Sequence, residues 1–299
     1  MTEQEEKKAT DEHIDVDESK VQPILEQLLA LVQDEDLDEE EVLSVAQDPY
    51  FVRRCLIACY NNEKKAFKMA ATAIRWRSKV KPSKITPDDF PTAASQELFM
   101  LGGHAKNGWP VAFGIAARWN PWRCGTAEYS RMIAFLMESC ERALDPNDPY
   151  ARIYFVFDMK GMSKLNSDLR KVAELSKFAA TYYPERVVGL VLNADIVTFA
   201  LWTFISPLLD RRTRERVTIL RSNGANLLDE KIGLDQIGPR IGGRREKEWP
   251  VMSMQTRAVY EWGRDAEGNP SRLPLKQLET DETEDMERPE SPELIEAMA

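Results

Sequence analysis

Tyr182-Tyr183-Pro184-Glu185-Arg186-Val187-Val188-Gly189-Leu190-Val191-Leu192-Asn193-Ala194 is the stretch whose reading decides the fold. A polar, proline-bearing turn leads into six apolar residues that do not alternate with polar ones, the pattern of a strand covered on both faces. Working outward, Phe199 to Leu209 reads as a helix. Thr213 starts a helical turn that ends in the short strand Val217 to Leu220. Upstream, Arg152 to Met159 is a second continuous apolar strand, and Ser167 or Asp168 caps a helix reaching about Ala180. Glu128 to Leu144 is an amphipathic helix with Tyr129, Met132, Ile133, Leu136, Met137 and Cys140 on one face, and Trp109 to Ile115 is a strand behind the turn Lys106-Asn107-Gly108. Buried strands separated by helices predict an α/β architecture with a mostly parallel sheet flanked by helices.

The pattern before Pro91 is different. Val21 to Val32 and Leu37 to Ala46 show apolar residues at helical spacing. Asp48-Pro49 reads as a cap and first helical residue of a helix through Tyr60; Asn61-Asn62 breaks it and recaps a longer helix from Glu63 to about Val80. Lys81 to Pro91 is a connection. The expected organisation is a disordered acidic arm over 1–20, a helical lobe over 21–90, an α/β lobe over 91–250, and an extension with an acidic mobile tail over 251–299.

With 43% hydrophobic and 30% charged residues among 299, the chain is neither fibrous nor wholly disordered. Its net charge of −10 conceals a division: residues 1–48 carry −14, residues 265–299 carry −8, and the body between them carries +12. The first residues, Met-Thr-Glu-Gln-Glu-Glu, have no basic or apolar leader, and the longest apolar stretch, Val187 to Trp202, is interrupted by Asn193 and Asp195. A bilayer span needs about 20 apolar residues, so a cytoplasmic protein in transient contact with membranes is expected, as a monomer without a nucleic-acid partner.

Motifs for covalent chemistry are lacking. The two histidines, His13 and His104, are isolated; there is no Gly-x-Ser-x-Gly elbow and no phosphate loop. Gly102-Gly103-His104 reads as an exposed turn. Cys55, Cys59, Cys124 and Cys140 read as reduced thiols with no acid or histidine to complete a metal set. No catalytic residue, metal ligand or cofactor is expected. Asp158, ending a buried strand, stands where open α/β sheets bind ligands or where a carboxylate caps the next turn.

The stretch quoted first, followed by Ile205-Ser206-Pro207-Leu208-Leu209-Asp210-Arg211-Arg212-Thr213-Arg214-Glu215-Arg216-Val217, resembles the CRAL-TRIO lipid-binding family, especially its phosphatidylinositol-transfer branch. Asn107-Gly108-Trp109-Pro110-Val111, Asp158-Met159-Lys160-Gly161, Arg75-Trp76-Arg77 and Gly242-Gly243 match further family motifs in order. The resemblance spans about Asp48 to Gly243. It implies a sheet flooring an apolar pocket closed by a gate helix at about Ile196 to Pro207, and a non-enzymatic protein that binds and transfers or presents a membrane lipid, phosphatidylinositol first. Its partners would be a membrane surface, the hydrophobic ligand and a lipid-modifying enzyme. A sterol- or tocopherol-like cargo, or a protein-interaction module with a vestigial pocket, are the alternatives.

Carried over by position, the headgroup residues are Glu185, Thr213 and Arg216. Phe199, Trp202, Phe204 and Ile205 belong to the gate, and Ile153 and Phe155 to the pocket wall, where carriers of phosphatidylcholine have hydroxyls. Cys59 stands where the family places a further base, with Arg53 and Arg54 about a turn earlier as substitutes; Asp195 replaces the proline usual after Asn-Ala, and Gly238-Pro239 displaces another family proline by one position.

The charge division generates its own prediction. A body of +12 is drawn to an anionic leaflet, and arms of −14 and −8 oppose it. A tail truncation ending at Arg264 should sediment with phosphatidylserine vesicles more strongly than the full chain, and the difference should shrink from low to physiological salt. Equal binding at both salts would reduce the tail to a solubilising segment.

Overall fold

The four helices of the N-terminal lobe begin where short polar side chains cap them. In the computed structural model, which describes residues 14–145, 148, 150–163, 168–209, 211–248, 262–264 and 270–272, these are α1 (Val21–Asp34), α2 (Glu39–Ala46), α3 (Pro49–Ala58) and α4 (Glu63–Val80). Asp48 accepts from the Tyr50 and Phe51 amides at 2.8 and 3.0 Å, and Asn62 accepts from the Lys65 amide at 3.0 Å. α3 stops at Ala58, short of the expected Tyr60, because Tyr60 and Asn61 both turn to positive φ. Ile24, Leu28, Val42, Leu56, Ala70 and Ile74 form the centre of this lobe.

The acidic arm is ordered earlier than its composition implies. Asn61 bonds the Asp15 carbonyl, the Asp17 amide and Lys20 Nζ, while Arg53 grips Glu18 at 2.8–3.1 Å. Expected disorder up to residue 20 is therefore corrected from Ile14 onward: polar residues with no apolar periodicity found partners on the α3–α4 turn, which a linear reading cannot see. The remainder of that arm lies outside the described residues. In the expected extension and tail, Trp262–Arg264 pairs antiparallel with Pro270–Arg272; the rest of residues 249–299 lies outside the described residues.

A short helix α5 (Pro91–Ala94) leads into a five-stranded sheet in sequential order: β1 (Phe99–His104), β2 (Pro110–Ile115), β3 (Ile153–Asp158), β4 (Val187–Leu192) and β5 (Val217–Ile219). β1 runs antiparallel to β2 and the others are parallel. The connecting helices are α6 (Thr126–Glu141), α7 (Leu169–Tyr182), α8 (Ile196–Ile205) and α9 (Arg211–Glu215), with α10 (Ala225–Lys231) after β5. The first strand was not expected, since two glycines and a histidine read as a turn. Gly102 is there for contact: a Cβ would lie 2.5 Å from the Phe113 ring and 2.9 Å from the Val111 carbonyl. His104 is likewise structural, with Nε2 3.1 Å from the Ala143 carbonyl.

Each face of the sheet is apolar because each is covered. Phe99, Leu101, Ala112, Ile153 and Phe155 pack with Tyr129, Met132 and Leu136 of α6. Met100, Val111, Phe113, Val156 and Leu190 pack with Leu228, Ile232, Ile237 and Ile241. Gly243, in the closing Gly-Gly, abuts the Ile237 carbonyl so closely that no Cβ fits.

The two lobes meet through the Trp-Arg and Tyr-Tyr-Pro-Glu-Arg motifs. Trp76 stacks on Tyr182 at 4.3 Å and meets Phe178 and Tyr183 edge-on. Arg77 clasps Glu138 at 2.8 and 3.0 Å and reaches Glu41 at 3.4 Å; the Tyr183 hydroxyl donates to Glu138 at 2.8 Å. Burial, reinforced by the Glu138 charge, holds the Tyr183 phenol well above its ordinary pKa and keeps it a donor. Removing one partner of a buried pair leaves the other uncompensated, at about 3 kcal/mol. Glu138→Ala should lose about that much stability in urea unfolding, whereas Arg75→Ala, which removes an exposed pair with Glu35, should lose under about 1 kcal/mol.

Candidate functional site

Two buried arginines converge on one buried carboxylate at the edge where the parallel strands begin. Glu185 precedes β4 in the left-handed region, with φ of +63°, and is held there by the turn closed between the Tyr183 carbonyl and the Arg186 amide. Arg212 of α9 donates to it at 3.1–3.3 Å, and Arg216, just before β5, pairs with Glu185 Oε2. All three are under 10% exposed. Burial pulls the Arg216 pKa down; Glu185 opposes this, and Arg152 and Arg212 add to it. The guanidinium thus sits in a basic surrounding that an additional anion would relieve.

Of the three expected headgroup residues, the structure brings Glu185 and Arg216 together. Thr213 lies on α9 one residue after Arg212 and is half-buried. Arg212 was missed. It lies inside the motif, but which of four neighbouring arginines turns inward depends on how α9 docks.

α3 faces the same turn. Cys59, half-buried, has its thiol pKa raised by burial, lowered by Lys65 and raised by Glu185. Its thiol, where the family places a base, is within electrostatic reach of Glu185 and of Lys65 in the first turn of α4. Neither proposed substitute replaces it. Arg53 is held by Glu18 and stacks on Tyr50. Arg54 is buried 3.6 Å from Asp48, its pKa lowered to about 10 by burial and by Arg186. Arg186 is itself clasped by Glu141 and bonded to the Ala151 carbonyl.

Beyond this charged pole the α7-facing side of the sheet is apolar. Ile153 is sealed in the core and Phe155 nearly so, stacked with Phe157 and edge-on to Phe99. By register, Phe157, Val187, Val191 and Val217 share that face. They are only half-buried, as are Val172, Leu175 and Phe178 of α7. The sheet-side wall that stays less than sealed is thus composed of Phe157 and the valines of β4 and β5, with Ile153 beneath it in the packed layer.

α8 lies beside α7 with apolar groups on both sides. Ile205 and Thr198 are buried; Phe199, Leu201 and Trp202 are half-buried, and the Arg221 guanidinium sits 4.7 Å over the Phe199 ring. Ile196, Ala200, Phe204 and Pro207 face out, with Ile196 79% and Phe204 67% exposed. Asp195 starts this helix by a reciprocal cap: its carboxylate accepts the Thr198 amide at 2.8 Å, and its own amide faces the Thr198 hydroxyl at 3.4 Å. Asp158 anchors the root of α8, accepting from Asn193 Nδ2 at 2.8 Å, the Lys160 amide at 3.0 Å and Arg240 Nε at 3.2 Å. Its role in the structure is a fastening.

The family model for the CRAL/TRIO domain matches residues 94–243, and the chain belongs to that family of lipid-binding proteins. The crystal structure of Sfh5 is similar over 78% of this chain and 90% of that chain, at 16% identity and a TM-score of 0.62, which supports the same fold. No curated protein matches the sequence. Among the described residues no group of side chains could hold a metal ion, and no helix is long and apolar enough to cross a membrane.

The Asp195 cap gives a test of the α8 root. The Thr198 amide bond holds its pKa below the ordinary 3.8. A depressed folded pKa means stability present above the unfolded value and lost as pH falls through the folded one. Asp195→Ala should cost about 1 kcal/mol of local helix stability, read as faster hydrogen exchange at the Thr198 amide. The unaltered protein should show the same loosening below pH 3.8.

Proposed function

We propose that this protein withdraws a phospholipid, phosphatidylinositol first, from a membrane and carries it or presents it to a lipid-modifying enzyme. The convergence of Arg212 and Arg216 on Glu185, beside an incompletely buried apolar sheet face, is the observation that carries this reading. A diacyl lipid needs both features. Each methylene withdrawn from water contributes about 0.8 kcal/mol, and the phosphate needs charged donors to replace its water. The two guanidiniums would hold the phosphate, Thr213 would add a hydroxyl, and Glu185 would accept from inositol hydroxyls. The acyl chains would lie along Phe157, Val187 and Val191 under α8, whose exposed Ile196 and Phe204 would meet the bilayer as the helix opens. The reaction is an exchange of environments with no covalent step. The reading places the protein in the cytosol and, transiently, on membranes.

A neutral hydrophobic cargo is the second reading. Phe155 and Phe157 make the sheet wall apolar, and Cys59 supplies no charge beside Glu185.

Native mass spectrometry of the purified full chain separates the two: a retained phosphatidylinositol supports the first, a lighter neutral ligand the second. Vesicle transfer then tests the residues. Arg216→Gln leaves Glu185 paired with Arg212, so the fold should hold and the melting temperature should stay close to that of the unaltered protein. Phosphatidylinositol transfer should fall at least about tenfold, the scale of one lost charge-assisted bond. Normal transfer by the folded Arg216→Gln variant would sink the headgroup assignment.

A further inference from the structure

The loop joining β2 to α6 presents a tryptophan to solvent from a rigid support. Trp122 is 69% exposed although its neighbour Pro121 is buried. The residues beneath it are fastened from four directions. The Asn120 amide donates to Gln96 at 2.7 Å, and the buried Tyr129 hydroxyl donates to the Asn120 carbonyl at 2.6 Å. The Asn120 side chain accepts from the Trp122 amide at 3.1 Å, and its carbonyl accepts from the Arg123 amide at 3.2 Å. Lys171, in the first turn of α7, donates to the carbonyls of Pro121 and Cys124 and lies 6.0 Å from the Trp122 ring. A floppy loop would let an indole fold back onto apolar surface; this one holds it outward.

Its position gives the partner. β2 and β4 run parallel on either side of β3, so the loop after Ile115 and the start of α8 after Leu192 emerge from the same edge of the sheet. Strands lie 4.7–4.9 Å apart, so these two exits are about 10 Å apart along the edge. α7, which carries Lys171, packs against α8. Ile196, 79% exposed, and Trp122 therefore mark one end of the molecule. Arg123, Lys160, Arg170 and Arg221 are exposed there, and Lys171 lies under the indole. The facing acids are engaged: Asp195 and Asp168 cap α8 and α7, Asp158 is buried, and Glu97 is paired with Arg118 at 3.4 Å. An indole with an apolar body and a polar N–H, ringed by cations, suits the headgroup level of an anionic bilayer.

We propose that Trp122 and Arg123 form a second membrane anchor, fixed in place, which seats the protein on an anionic phospholipid surface beside the start of α8. The proposal rests on the membrane encounter in the functional reading above. It divides the work: the rigid loop fixes the end of the molecule at the bilayer, and α8 is left free to move without the protein leaving.

The test uses the full chain and vesicles of phosphatidylcholine with phosphatidylserine. Trp122→Ala should weaken vesicle partition about tenfold, the scale of withdrawing one large apolar side chain, with unchanged circular dichroism. Brominated phosphatidylcholine should quench the emission of the unaltered chain, and Trp122→Phe should remove part of that quenching while keeping more partition than Trp122→Ala. Arg123→Glu should weaken binding at low salt and less so at high salt. Unchanged partition of Trp122→Ala, or quenching indifferent to Trp122→Phe, overturns the anchor. So does a protein captured through Trp122 by a chain whose vesicle binding ignores the substitution. The two readings separate cleanly. Trp122→Ala should still retain its lipid in native mass spectra. Phosphatidylinositol transfer with Trp122-independent docking would leave the functional reading standing and the anchor refuted. Trp122-dependent docking by a chain that carries no lipid would do the reverse.

Discussion

The turn from Tyr182 to Arg186 is the constraint on which the rest depends. Five consecutive residues reach four different parts of the molecule. Tyr182 receives Trp76, Tyr183 donates to Glu138, Glu185 gathers Arg212 and Arg216, and Arg186 takes Glu141 and the Ala151 carbonyl. The helical lobe, α6, the start of β3 and the α9–β5 segment are thereby fixed to one another at the edge where the strands begin. Charged groups under 10% exposed are tolerable only when paired, and each arginine at this turn is paired with a carboxylate. A positive φ at a glutamate costs energy; the two arginines that bind its carboxylate hold it in place.

That tightness at one end contrasts with looseness over the adjoining sheet face. α6 seals its part of the sheet, burying Tyr129, Leu136 and Ile153 completely. α7 leaves Val172, Leu175 and Phe178 half-buried, and α8 shows apolar groups both inward and outward. A helix apolar all round is ordinarily a buried helix. Here Phe204 and Ile196 stand in solvent, the exposed apolar surface on which the proposed meeting with a bilayer rests. It is fastened at its start by Asp195, by Asn193 on Asp158 and by Arg221 over Phe199, all contacts near its first turn.

Much of this was legible in the chain. Val187 to Leu192 and Glu63 to Val80 have the expected limits, because a continuous apolar run and an asparagine cap are local signals. β1 was not legible, since Gly102 and Gly103 suppress strand propensity and only the Phe113 ring across the sheet explains Gly102. The order of residues 14–20 was hidden for the same reason: its cause is Asn61, more than 40 residues away. At the site, Glu185 and Arg216 lie in the motif, but Arg212 could not be singled out there, because a run of arginines has no periodicity that marks the inward one.

The sequence by itself determined the fold class, the alternation of buried strands with helices, the capped helix starts and the identity of the signature residues, because each depends on neighbours within a turn or on a hydrophobic period. Tertiary structure alone decided what those residues do. It made Trp76 and Arg77 a seam between lobes, turned Asp158 into the fastening of α8, sealed Ile153 beneath the apolar wall, and stood Trp122 outward on a bonded loop. Burial and charge pairing belong to groups far apart in the chain, and their energies exist only once the chain has brought those groups together.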